Sequence, residues 1–166
     1  MTVACPRLPL LMLFGLLAAC AARAPLPEVE PRLALPLSLH LQGESDGQRQ
    51  DWLLVIQREG QALRWSLFDP LGVPLARQLL QDGDWRADGL LPPNPQAREL
   101  FAALLFALTP QAQLEQAYPG RVRLDSRGRY LEGQALRWQV EALADDGFML
   151  RVGAQQYRVR PLEAAR

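Results

Sequence analysis

A mainly β domain of the α+β class, an antiparallel meandering sheet interrupted once by two short helices, is what this sequence predicts. Three observations carry the prediction. Leu37, Leu39 and Leu41 alternate with Ser38, His40 and Gln42, the period of two that turns one face of a strand toward a core. Short strand-like runs then recur between turn-forming clusters such as GESDGQ, QDGD, DSRGR and ADDG, a spacing suited to hairpins rather than crossovers. The one stretch with helical grammar is framed by Asn94-Pro95 and Thr109-Pro110, each a cap residue followed by proline at the first helical position. At 166 residues, 49% hydrophobic and 22% charged, the chain has the length and composition of one globular domain with a single core.

The first segment in order reads as an export signal, with Arg7, an apolar run from Leu8 to Leu17 and then small residues. That run is shorter than the roughly 20 apolar residues a membrane-spanning helix needs. Leu17-Ala18-Ala19-Cys20 resembles the bacterial lipobox, in which the cysteine thiol is joined to a diacylglyceryl group with palmitate-like acyl chains, so residues 1–19 are read as a lipoprotein signal peptide and Cys20 as the lipid-attachment site. Ala22-Arg23-Ala24 is the competing site, for ordinary signal peptidase. Two or three acyl chains give a durable anchor where one gives a marginal one. By resemblance to enterobacterial lipoproteins, Ala21 in place of an aspartate after the cysteine implies the outer membrane rather than inner-membrane retention, with the domain facing the periplasm. The other cysteine, Cys5, lies within the signal, so the mature chain has no pair for a disulfide.

Residues 20–36 read as the lipidated N-terminus and a Pro-rich tether, because Pro25, Pro27, Pro31 and Pro36 exclude both helix and inner strand. Drawn out as polyproline, about 15 such residues would hold the domain on the order of 45 Å from the lipid surface. A leftover segment with no spacing role is the other reading. The β domain proper is placed at 37–166, with strands expected at DWLLVIQ, ALRWSLF, PLARQLLQ, DWRAD, RVRLD, RYLEG, ALRWQV, GFMLRV and QYRVR. EGQALRW occurs twice, at Glu59–Trp65 and Glu132–Trp138, with unrelated flanks; hairpin grammar explains it better than duplication. In both copies Leu and Trp share one strand face. ELFAALLFAL is apolar nearly all round, which predicts a helix covered on more than one side, as a core helix on the sheet or a plug in the mouth of an incomplete barrel.

The residues exclude more chemistry than they offer. Lys+Arg and Asp+Glu balance at 18 each, which argues against a nucleic-acid partner. With one histidine, His40, and no cysteine beyond the anchor, nucleophilic and metal chemistry have few carriers; no enzyme activity, metal or cofactor is expected. Asp82/Asp84 and Asp145/Asp146 read as turn carboxylates. Trp65, Leu67, Trp138 and Val140 are the candidates to line an apolar cargo-binding groove for an acyl chain, with a simply filled core as the alternative. In FDPLGVP, Asp69, Pro70 and Gly72 suit a type I turn, which leaves Leu71 either standing at the loop tip or folded back on the helix.

The lipobox, the Pro-rich segment, WSLFDPLG, the Asn-Pro helix and RYLEGQALRWQVE together resemble LolB, of the LolA/LolB lipoprotein-carrier superfamily. The sequence is similar, more closely, to an uncharacterised proteobacterial lipoprotein family found beside LolA-like proteins in aryl-polyene and fatty-acid-like biosynthesis clusters. The resemblance implies an incomplete antiparallel β-barrel or curved sheet closed by two short helices, with an apolar cavity for lipid chains. It implies Leu71 as the membrane or transfer loop, matching the protruding leucine of an N-P-L-G loop, here with Asp69 in place of asparagine. It also implies a lipid or acylated cargo, lipoprotein or glycolipid, and a LolA-like periplasmic carrier as partner. The alternative function is a non-catalytic scaffold or assembly lipoprotein of an envelope complex.

Overall fold

The structure is a computed structural model and describes residues 24–45, 47–89, 94–133 and 136–162. Its strands are β1 (Leu37–Ser45), β2 (Gln48–Glu59), β3 (Ala62–Phe68), β4 (Pro74–Gln81), β5 (Asp84–Ala87), β6 (Val122–Asp125), β7 (Gly128–Glu132), β8 (Leu136–Ala142), β9 (Phe148–Val152) and β10 (Gln155–Pro161). They form one antiparallel sheet in the order β5-β4-β3-β2-β1-β10-β9-β8-β7-β6, joined at its middle where the first and last strands pair, Leu41 opposite Val159. The expected turn at GESDGQ is tighter than its composition suggested: β1 runs on to Ser45 and β2 begins at Gln48. Gly47, at φ 72°, supplies a left-handed residue of the kind a tight hairpin requires.

Between the two sheet edges the chain forms α1 (Pro95–Leu108), a 3-10 turn at Gln111–Gln113 and α2 (Leu114–Ala117). Asn94 Oδ1 accepts from the Ala97 amide at 3.0 Å, satisfying one of the orphan donors of the first turn. At the other end the Thr109 hydroxyl donates to the Leu105 carbonyl at 2.7 Å, and Pro110 cannot extend the ladder. Leu100 through Ala107 are all buried. The reason lies in the curvature of the sheet. Trp65 on β3 and Trp138 on β8 are five strands apart, about 24 Å on a flat sheet at about 4.8 Å per step, yet they pack on Phe101 and Phe106 of the same helix at 5.5 and 6.0 Å between ring centroids. The sheet therefore curls around α1, and its concave side is one continuous apolar core.

The two EGQALRW copies occupy β2–β3 and β7–β8. Both hairpins step the same way across the sheet, but β2–β3 runs down then up while β7–β8 runs up then down, with the tryptophan on the concave face each time. No rotation relates two chains of L-residues in that way. The pairing differs as well, Glu59 opposite Ala62 in the first copy and Glu132 opposite Leu136, after a register shift, in the second. One heptapeptide thus meets the same requirement, a turn followed by an inward Leu-x-Trp, in two unrelated settings.

Residues 24–36 are not a free spacer within the described part of the chain. The Glu28 amide donates to the Ala117 carbonyl at 2.8 Å, the Arg32 amide to Gln113 Oε1 at 2.9 Å, and Arg58 pairs with Glu30 at 2.7 Å. Leu26, Leu33 and Leu35 pack on the core and Pro31 is buried. Proline kept this segment out of helix and sheet, while its alternate leucines fastened it along the end of the sheet that carries the β2–β3 and β4–β5 turns. That end is called lower here, and the end with the β1–β2, β3–β4 and β9–β10 connections upper.

Candidate functional site

The β3–β4 connection is built around one carboxylate. Asp69 Oδ1 accepts from the Leu71 amide at 2.9 Å and the Val73 amide at 2.8 Å, while the Gly72 amide donates to the Asp69 carbonyl at 3.0 Å. Gly72 sits at φ 84°, a conformation that disfavours side chains. With the loop backbone tied up from inside, its side chains point outward: Leu71 is 90% exposed, and Val73 and Leu75 beside it are 53% and 41% exposed. Leu71 and Val73 make an apolar tip on a loop whose shape does not depend on burying them, and Leu75 extends it from the start of β4.

The expected groove residues lie elsewhere. Trp65, Leu67, Trp138 and Val140 are all buried on the concave face, and α1 occupies the space between the two pairs. Trp65 meets Phe101 and, edge-on, Trp85 at 5.8 Å; Trp138 meets Phe106. In this state they form packed core rather than an open trough. Val140 also borders a cavity of about 330 Å³ at the lower end with Ala107, Leu124, Arg129 and Phe148. There Arg129 donates to the Ala107 and Thr109 carbonyls at 3.3 and 2.7 Å, a cation placed on the C-terminus of α1 as the helix dipole favours; burial pulls its pKa down.

A larger cavity, about 680 Å³, opens at the upper end between the first turns of α1 and strands β1, β2, β9 and β10. Trp52 and Tyr157 meet there at 6.0 Å across Gly43, where an added Cβ would lie 3.0 and 3.1 Å from their rings. Glu99 on α1 borders it and is held by Arg137, at 2.7 and 3.1 Å, and by the Trp138 indole at 2.9 Å. Sequence reading did not find this site. Gly43, Trp52, Glu99 and Tyr157 lie on four separate elements, and only the curl of the sheet brings them together.

A model of the family described as Protein of unknown function (DUF3261) matches residues 37–159. The chain belongs to the DUF3261 family. No curated protein sequence matches it. The matched span of this DUF3261 protein begins with β1 and ends within β10, so it takes in the sheet up to Val159 and both helices, with the β3–β4 tip and the upper cavity. Cys20 lies outside the described residues. His40 of the DUF3261 chain sits on the convex face, where its Nε2 meets Asp51 Oδ1 at 2.8 Å, and Gln42 donates to the same oxygen at 2.8 Å. The Gln42 hydrogen bond first, with His40 in support, lowers the pKa of Asp51. Asp82 and Asp146 take positive φ in their turns, and among the described residues no group of three or more His, Cys, Asp or Glu side chains is placed to hold a metal ion.

Proposed function

We propose that this protein is a non-catalytic lipid carrier of the LolB type, anchored in the outer membrane through Cys20, that receives acyl chains against its apolar concave face and assists lipid, glycolipid or lipoprotein transfer to that membrane. The observation that carries the reading is the apolar tip. A leucine 90% exposed on a loop braced by Asp69 has no packing role, and two more exposed aliphatic side chains adjoin it. Such a tip suits a lipid surface or an acylated partner. The curved sheet supports the reading in a second way: apart from polar residues such as Gln78 and Arg129, its concave side is apolar and covered chiefly by α1, with the upper cavity leading to Leu100 and Val152 at the rim of that core. Loading an acyl chain past that rim requires α1 to give way. A LolA-like periplasmic carrier is the natural donor on this reading.

The test pairs thermal melting of Leu71→Glu with a liposome-transfer assay using a fluorescent acyl lipid. Melting should stay within about 0.5 kcal/mol of the parent, as for an exposed turn position, while transfer falls, since a charge at the tip opposes entry into hydrocarbon. Normal transfer by the variant would overturn the role of the tip and leave the envelope-scaffold function ahead. Anchoring is tested separately by metabolic labelling with a palmitate analogue; label persisting in Cys20→Ser would rule out attachment there.

A further inference from the structure

We propose that the upper cavity is a binding site for a neutral sugar headgroup. The proposal rests on the carrier reading only in making that headgroup part of the cargo; the site itself is argued from its walls. Trp52 and Tyr157 present two aromatic surfaces at 6.0 Å and 57° to each other, kept close by the bare backbone of Gly43. Around them stand Gln50, Gln96 and Gln155, and amides both donate and accept, as hydroxyl groups do. A sugar ring has this same division, with C–H faces that lie on aromatic planes and a rim of hydroxyls that exchange hydrogen bonds with amides and carboxylates.

Charge narrows the ligand further. The lining has two carboxylates, Glu44 and Glu99, and among the described residues that line it there is no arginine, so phosphate and fatty-acid carboxylate find no counter-ion. Glu99 is already neutralised by the two-pronged Arg137 contact, which weakens the case for a cation. Two aromatic walls also fall short of the cage that captures a quaternary ammonium. The volume, about 680 Å³, lies within the range of sites that take drug-sized ligands.

The experiment uses the full chain held in amphipol and saturation-transfer NMR with methyl β-glucoside, choline chloride and inorganic phosphate as separate probes, with dodecanoate binding measured in parallel. The glucoside should show transfer to its ring protons, and its apparent affinity should drop at least fivefold in Trp52→Ala and in Gln155→Ala. Gln155 is exposed at the β9–β10 turn, so its variant keeps the fold even where loss of Trp52 does not. Absence of a glucoside signal, a signal unchanged in Gln155→Ala and Trp52→Ala, or stronger transfer to choline or phosphate would each overturn the proposal. Dodecanoate bound without glucoside sinks this inference alone; glucoside bound without dodecanoate sinks the acyl-carrier reading and leaves the sugar site standing.

Discussion

Glu99 shows how much one side chain organises here. It stands on a helix otherwise apolar nearly all round, and both its oxygens accept from the Arg137 guanidinium while Oε1 also accepts from the Trp138 indole, tying the first turns of α1 to β8. Glu99→Ala leaves an indole donor without its acceptor, and should lower stability by about 1–3 kcal/mol in denaturant melts, while Glu99→Gln, which keeps an acceptor, loses less. Two tyrosines make a second residue-scale prediction. Burial raises the phenol pKa of both Tyr118 and Tyr157, so the folded chain holds those protons more tightly than the unfolded one. Their contribution is complete below the unfolded value of about 10 and is lost as pH rises beyond it, so urea midpoints should be level up to about pH 9 and fall above it. A midpoint that rises on alkalinisation would contradict the burial.

At the scale of the element, α1 is the piece on which the sheet closes. Phe101 touches Trp65 and Trp85, and Phe106 touches Trp138 and Tyr118, so Phe101→Ala or Phe106→Ala removes a ring from an aromatic cluster and should cost about 3–5 kcal/mol by calorimetry. Asn94→Ala, which removes the cap, should cost about 1 kcal/mol. The start of this helix was legible in the sequence because Asn94-Pro95 is a local signal, and most of the strands were legible because period-two alternation is local too; Thr109, read as the cap of a second helix with Pro110 at its first position, instead closes α1 by donating back to Leu105, and the next turn begins at Gln111 without a side-chain cap. What was not legible was the partner. Trp65 and Trp138 face the same side of their strands whether the space between them holds cargo or a helix, and nothing within seven residues distinguishes the two. The inward period of two is itself incomplete: Ala62 and Ser66, which alternate with the inward Leu63, Trp65 and Leu67 on β3, are also buried. Small side chains on a convex face are covered by longer neighbours, such as Arg77 opposite Ser66. The upper-cavity aromatics escaped notice for a related reason, since Gly43 read as the start of a turn and proved to be a strand residue over which two rings meet.

For the whole molecule, the segment before β1 matters more than its composition suggested. Its prolines were read correctly as excluding regular structure, but whether such a segment floats or packs depends on Ala117, Gln113 and Arg58, far away in the chain. A chain beginning at residue 37 should therefore melt at lower temperature than one beginning at residue 24, with the loss traced to uncovered core beneath Leu26, Leu33 and Leu35. Equal melting of the two would show that the packing contributes nothing. The fastening also gives the molecule a direction. Leu26 to Glu30 lie against the lower turns, whereas Leu71 stands beyond the upper end of β3, whose seven residues, six steps, span about 20 Å. On the proposed anchoring, Cys20 is four peptide steps from Ala24, at most about 14 Å of chain. On that proposal, with the segment fastened, the protein would stand upright on its own bilayer with its leucine pointing outward, toward whatever approaches. Peeled away, the 13 residues 24–36 become a leash of about 45 Å when fully extended, long enough for the same domain to tip over and set that leucine on the lipid beneath it.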